Sequence, residues 1–331
     1  MIRLDSNENP RGMPESARSA AAAALQDAGN YPDANGAALK QVLAATLKVP
    51  TEWLVLGSGS SEILTLAAQS LVAPGKGVLW SQYSFVVYGQ AAALVHGKPV
   101  VVPASDHGHD LPAMLRAIDA DTRLLFVANP NNPTGSFIEA PALLDFLSRV
   151  PPSVTVLLDE AYTEYLAPDQ RYDSMDWVRR FPNLLVARTF SKAYGLAGLR
   201  VGYGVAQPAL AGKLNAKRPR FNVTTPALAA AQAALADTAF VQQTYELNCA
   251  GREELTTGLA ALSLRCLPSA GNFVMVEVPG AADLHALLLR AGIAVATLGN
   301  YDLPGWLRIS VGLPEQNRLL LDSIAAHHNQ H

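Results

Sequence analysis

Apolar residues along this chain gather in short dense runs, separated by longer stretches in which they recur every three or four positions. The runs at 53–56, 78–81, 100–102, 124–127, 154–158, 184–187 and 201–205 are bounded by Gly, Pro, Asn, Asp or Ser. Short continuous runs bounded in this way read as strands buried on both faces. Stretches between them, such as Leu111 to Ile118 and the segment running through Leu71, carry helical spacing. An alanine-rich helix is expected from Glu15 to Ala28, closed by Gly29-Asn30 as a C-cap. Strand, helix, strand repeated in this manner predicts an α/β fold, a mostly parallel sheet sandwiched by helices. After Val205 the pattern changes. Helices are expected over 206–217, 226–235 and 237–262, the last long enough to bridge two domains. Strands follow at 264–267, 273–278, 293–297 and 307–311, with helices at 281–291 and 314–326. This set predicts a smaller α+β C-terminal domain. The expected division is 27–236 for the large domain, with 1–26 and 237–331 forming the small one.

Composition narrows the class. With 331 residues, 50% of them hydrophobic and 16% charged, the chain can build a large core. A net charge of −3 gives no electrostatic case for nucleic acid or an anionic membrane as partner. Cys249 and Cys266 are the only cysteines, which favours a reducing compartment over a disulfide-built fold. The start lacks the apolar core of a signal peptide, and no apolar run reaches the roughly 18 residues of a membrane span. The expected setting is cytoplasmic.

Candidate chemistry falls just after the predicted strands, where open parallel sheets collect ligands. The run at 53–56 leads into Gly57-Ser58-Gly59-Ser60-Ser61-Glu62 and a helix start, which in outline is a phosphate cradle. A dinucleotide site would need a third glycine where Glu62 stands and an acidic residue about twenty positions on, and neither is present. After 124–128 comes Asn129-Pro130-Asn131-Asn132-Pro133-Thr134-Gly135, a string more specific than a tight turn requires. Leu157-Leu158 delivers Asp159-Glu160-Ala161-Tyr162, and a carboxylate at a buried strand end is costly without a partner. Adjacent strand residues face opposite ways, so one acid is expected to serve a ligand, and Asp159 is the choice. Finally, Arg188 to Arg200 lies between two apolar runs and contains Lys192. A lone lysine in a loop is ordinarily a solvated surface group. Held between two strands, its pKa falls, and the free amine can attack a carbonyl to form a Schiff base. Ser191 and Arg200 beside it offer a hydroxyl and a cation suited to a phosphate.

Ser191 to Tyr203 spells Ser-Lys-x-x-Gly-x-x-Gly-x-Arg-x-Gly-Tyr. This resembles the lysine segment of the fold-type I aminotransferases that use pyridoxal phosphate, and within them the histidinol-phosphate aminotransferase branch. The order Asn132, Asp159, Lys192, Arg200 is similar to that family in sequence and spacing. The resemblance implies an aspartate aminotransferase-like fold with pyridoxal 5′-phosphate bound to Lys192 and no metal. It implies that Asp159 faces the pyridine nitrogen and that Asn132 and Tyr162 meet the phenolic oxygen. Ser60, Ser61, Ser191 and Arg200 would hold the phosphate, and Tyr83 would stack on the ring. Arg308 would bind the substrate carboxylate. Asn9, in Asn7-Glu8-Asn9-Pro10, would lie near the substrate. Tyr31 would reach the cofactor phosphate of a second subunit, making the unit a homodimer, although the stretch before Asn7 is short for an arm that clasps a partner. The activity implied is transfer of an amino group between an amino acid or amine phosphate and 2-oxoglutarate. Rivals are a decarboxylase resembling threonine-phosphate decarboxylase, an aromatic amino-acid aminotransferase, and a non-catalytic cofactor-binding domain. The chain departs from the family at Ala296-Thr297, where an arginine usually helps hold the substrate phosphate. Arg220 or Arg218 is the expected substitute.

Overall fold

The computed structural model describes residues 1–328. In chain order, β1 (Ile2–Leu4) precedes α1 (Glu15–Ala24) and α2 (Ala37–Leu47). Strands and helices then alternate: β2 (Leu54–Gly57), α3 (Ser60–Leu71), β3 (Gly77–Ser81), α4 (Val87–Leu94), β4 (Lys98–Val102) and α5 (Leu111–Arg116). They continue with β5 (Thr122–Ala128), α6 (Ala140–Arg149), β6 (Thr155–Asp159), α7 (Ser174–Arg180), β7 (Leu184–Thr189) and β8 (Gly202–Val205). Three helices follow, α8 (Pro208–Lys217), α9 (Thr225–Ala236) and α10 (Thr238–Ala261). The chain closes with β9 (Arg265–Leu267), β10 (Phe273–Glu277), α11 (Ala281–Arg290), β11 (Ile293–Thr297), β12 (Trp306–Ser310) and α12 (Pro314–His328).

The large sheet has the order β2-β8-β7-β6-β5-β3-β4, and only β8 runs against the rest. The middles of its central strands are apolar because both faces are covered. Leu125, Val127, Val156 and Leu158 join one core, while Leu124, Phe126 and Leu157 join the core on the opposite face. This two-residue period decides where the polar residue that ends each strand will point.

The small sheet has the order β1-β11-β12-β10-β9, with β1 parallel to β11 and the other pairs antiparallel. Residues from α10, α11 and α12 pack with it around Val274, Val276, Ile293, Leu307 and Ile309. The side chain of Asp237 accepts the Phe240 N–H and caps α10, whose 24 residues span about 36 Å from one unit to the other. Residues 1–26, expected with the small domain, are divided between the two. β1 joins the small sheet, whereas α1 packs against α9 of the large unit. No helix among the described residues is long and apolar enough to cross a membrane.

Candidate active site

At the carboxyl ends of β5, β6 and β7, below β12 of the small sheet, lies a cavity of about 410 Å³. β6 brings Asp159 to its floor on the face shared with Leu157 and Phe126. The carboxyl is 4% exposed, and burial pushes its pKa up to about 6. Two hydrogen bonds oppose that rise. Tyr88 donates its hydroxyl to Oδ2 at 3.0 Å, and the Ala161 N–H donates to Oδ1 at 3.2 Å. Tyr88 is itself fully buried and stacked on Phe126 at 4.5 Å, so its hydroxyl is held in place. Glu160 faces the other way, where its Oε2 accepts Arg188 Nε at 2.8 Å and the Ser174 hydroxyl at 2.9 Å.

β7 leads to Lys192, which is partly buried and donates from Nζ to the Ser6 carbonyl at 3.0 Å. Burial, then the nearby cation of Arg308, lowers its amine to about 8. Tyr162, on the turn after β6, lies with its ring centroid 5.8 Å from Lys192 Nζ. Its hydroxyl accepts Asn7 Nδ2 at 3.0 Å, and burial raises its pKa to about 12.

The third wall is an anion cradle. Gly59, at φ 79° and ψ 168°, turns the chain from β2 into α3 in a conformation open essentially to glycine. Ser60 and Ser61 then open the helix with N–H groups that have no intrahelical partner and a positive dipole end. Arg200, itself left-handed at φ 55°, donates from Nη1 to Ser191 Oγ at 3.2 Å. Its guanidinium packs against Gly59, where an added Cβ would stand 2.4 Å from Nη2 and force the arginine to shift.

The small unit supplies Arg308 from β12. Its Nη1 donates to Asn132 Oδ1 and its Nη2 to the Asp5 carbonyl at 2.7 Å, while Nε is buried without a partner. The cavity therefore has a nucleophilic amine, a buried carboxyl, an anion cradle and an arginine with an unused donor. This set suits a planar carbonyl compound that bears a phosphate and a basic ring nitrogen, together with an anionic substrate.

Of the residues expected from sequence, Ser60, Ser61, Asn132, Asp159, Tyr162, Ser191, Lys192, Arg200 and Arg308 line this cavity. Four others do not. Tyr83, at φ 55°, turns away to pack with Leu267, Leu298, Leu303 and Trp306, whereas Phe85, two residues on, lines the wall with Tyr88, Tyr162 and Tyr301. Phe85 lies just before α4, its ring edge-on to Tyr88 at 6.1 Å, and no local pattern in the sequence sets it apart from Tyr83. Asn9 is buried behind the wall, where Nδ2 donates to the Ala193 carbonyl at 2.9 Å and to Thr244 Oγ1 at 3.2 Å. Asn7, two residues earlier, takes the wall position. Arg220 is exposed with its guanidinium 5.2 Å from the Phe221 ring, and Arg218 is tied to Asn222 Oδ1 and the Ala34 carbonyl. Neither supplies a cation to the cavity of its own chain. Tyr31 is 83% exposed and stacks on the other side chain of that loop, Phe221, at 4.6 Å. Where an arginine was expected, Ala296 and Thr297 line the wall, followed by Asn300 and Tyr301.

Known proteins resemble this chain over nearly its whole length. The family model for aminotransferase class I and II matches residues 1–324. A histidinol-phosphate aminotransferase of Ralstonia nicotianae is 58% identical over 321 residues, covering 96% of this chain and 86% of that relative. One from Cupriavidus pinatubonensis is 54% identical over 328 residues, covering 98% of this chain and 87% of that relative. Among solved structures, the histidinol-phosphate aminotransferase of Sinorhizobium meliloti in complex with pyridoxal-5′-phosphate superimposes with a TM-score of 0.93 at 30% identity. That match covers 99% of this chain and 91% of that one.

Proposed function

Since the chain belongs to the class I and II aminotransferases, and within them to the histidinol-phosphate aminotransferases, we propose that it binds pyridoxal 5′-phosphate and moves the amino group of histidinol phosphate to 2-oxoglutarate. The observation that carries this is the meeting of Lys192, Asp159, the α3 cradle and Arg308 on one cavity. When bound, the cofactor supplies an aldehyde for the substrate nitrogen and a protonated ring that draws electrons from the substrate α-carbon.

The residues divide the remaining work. Ser60, Ser61, Ser191 and Arg200 hold the cofactor phosphate, and Asn132 and Tyr162 hold its phenolic oxygen. Phe85 packs on the ring in the role expected of Tyr83. Asp159 keeps the ring nitrogen protonated, and that cation in turn favours the ionised carboxylate that burial alone disfavours. Lys192, with its amine lowered to about 8, has the basicity to take a proton from the substrate α-carbon and return it near neutral pH.

Histidinol phosphate carries an amine, an imidazole and a phosphate but no carboxylate. Its phosphate can therefore occupy Arg308, whose Nε has no partner, in the half-reaction where no carboxylate competes. The same fork receives the carboxylate of glutamate or 2-oxoglutarate in the other half-reaction. Ala296 and Thr297 on the wall are compatible with one arginine serving both anions in turn.

A homodimer is part of this proposal. An exposed tyrosine stacked on a phenylalanine is an unusual solvent-facing group, and supports Tyr31 reaching the cofactor phosphate of a partner subunit. Arg220 shares that platform, so any contact it makes with substrate is with the partner's. The test of the activity is the near-ultraviolet and visible absorbance of the protein loaded with pyridoxal phosphate. Added glutamate is expected to bleach the band, and added histidinol phosphate to bleach it at lower concentration than phenylalanine. An unchanged spectrum across all three, or release of carbon dioxide from glutamate, refutes the proposal.

A further inference from the structure

We infer that Asn7 is a positioning residue that fixes the direction of the hydrogen bond Tyr162 makes into the cavity. The inference rests on the cofactor reading above. Ser310 Oγ accepts the main-chain N–H of Asn7 at 2.8 Å and lies 3.1 Å from Asn7 Oδ1. A hydroxyl has one proton, and with a lone pair turned to the N–H, that proton goes to Oδ1. The amide is thereby oriented, and its other end, Nδ2, donates to Tyr162 Oη at 3.0 Å.

Tyr162 Oη is then an acceptor on its buried side, and its own proton is left for an acceptor inside the cavity that Tyr162 lines. A reversed amide would give the opposite result. Ser310 would have no acceptor for its proton among these groups, and the phenolic proton would point at Asn7, away from any ligand. The phenolic oxygen of the cofactor, an anion, needs that proton.

The backbone is built to hold Asn7 there. Its carbonyl accepts Asn272 Nδ2 at 3.0 Å, the residue is 1% exposed, and its φ of 53° lies in the left-handed region that asparagine tolerates better than most side chains. β1 sets the register, because its pairing with β11 ends at Leu4 and places the next three residues across the cavity. The titratable and charged groups around Tyr162 are Asp159 from β6, Lys192 after β7, Arg308 from β12, and Tyr88, Tyr165 and Tyr301. None of them is altered by a substitution at position 7.

Asn7→Asp keeps size and backbone tolerance but replaces the Nδ2 donor with an acceptor, so Tyr162 must turn its proton outward. The expected result is about tenfold weaker binding of pyridoxal phosphate to the cofactor-free protein, followed by fluorescence quenching. The pH midpoint of the bound cofactor's absorbance band should rise by about one pH unit. Asn7→Ala, which adds no charge, should move both readouts the same way by less. In a Tyr162→Phe background, Asn7→Ala should cause no further shift of the midpoint. A well-folded Asn7→Asp protein that titrates like wild type overturns the inference, as does an Asn7→Ala shift that persists without the Tyr162 hydroxyl. If wild-type protein takes up no pyridoxal phosphate, the cofactor reading fails and this inference falls with it.

Discussion

Asp159 and Glu160 are neighbours on one strand, yet one faces the cavity and the other an arginine, because successive side chains on β6 point to opposite sides of the sheet. Asp159 carries a stability penalty in the cofactor-free protein. Its folded pKa of about 6 lies above the ordinary 3.8, so the folded form holds the proton more tightly. Its contribution to stability is fully present below about pH 4 and is lost as pH rises through 6. Lys192 has the opposite sign. Its amine is lowered from 10.5 to about 8, so its contribution is present above pH 10.5 and is lost as pH falls through 8. Near pH 7 both groups are therefore charged against the preference of the fold. Asp159→Asn should stabilise the cofactor-free protein at pH 7.5 by on the order of 2 kcal/mol and flatten its melting temperature between pH 4 and 6. The same change should abolish transamination. Thermal melts across that pH range, with and without pyridoxal phosphate, check both statements.

At the scale of elements, the start of α3 against β8 is where function restricts the backbone most. A Cβ added at Gly202 would lie 2.5 Å from the Ser60 nitrogen and 2.6 Å from the Gly59 carbonyl carbon. Both are backbone atoms that cannot rotate aside. Gly202→Ala should therefore push the helix start away from Arg200, weaken binding of pyridoxal phosphate at least tenfold, and destabilise the protein by about 1–3 kcal/mol. Retention of wild-type affinity in a binding titration would show that the cradle does not hold the phosphate. The central strands of the large sheet were legible as elements because burial on both faces leaves continuous apolar runs, and the exposed edge strand β4 was legible from its three consecutive valines. β1 was not, since three residues at a chain end form a strand only through pairing with β11. Helices α2, α4, α6 and α7 were likewise unread. α4, for example, spells Val-Tyr-Gly-Gln-Ala-Ala-Ala-Leu, apolar nearly all round, so no polar face sets off a stripe.

For the whole molecule, the cavity belongs to neither unit alone. The large sheet presents Lys192 and Asp159, the small one presents Arg308, and the segment after β1 crosses between them to meet Lys192 and Tyr162. If Tyr31 also completes the site of a second subunit, two defective proteins can repair each other. Lys192→Ala and Tyr31→Ala subunits, each with little activity alone, should regain about a quarter of wild-type activity after mixing and exchange, because half the dimers are mixed and each mixed dimer has one intact site. No recovery, with exchange verified by tagged subunits, would place Tyr31 outside the site.

The sequence by itself determined the α/β class, the strand ends where chemistry would gather, and the identity of Lys192, Asp159, Asn132 and Arg200. The class and the strand ends follow from local periodicity, whereas the four residues were picked out by the resemblance of their motifs to a known family, and the fold brings them to one cavity. Tertiary structure alone decided between Phe85 and Tyr83, between Asn7 and Asn9, and against Arg220 within its own chain. In each pair the residues are chemically similar and close in sequence, so the direction of a side chain set by packing was the only thing that separated them.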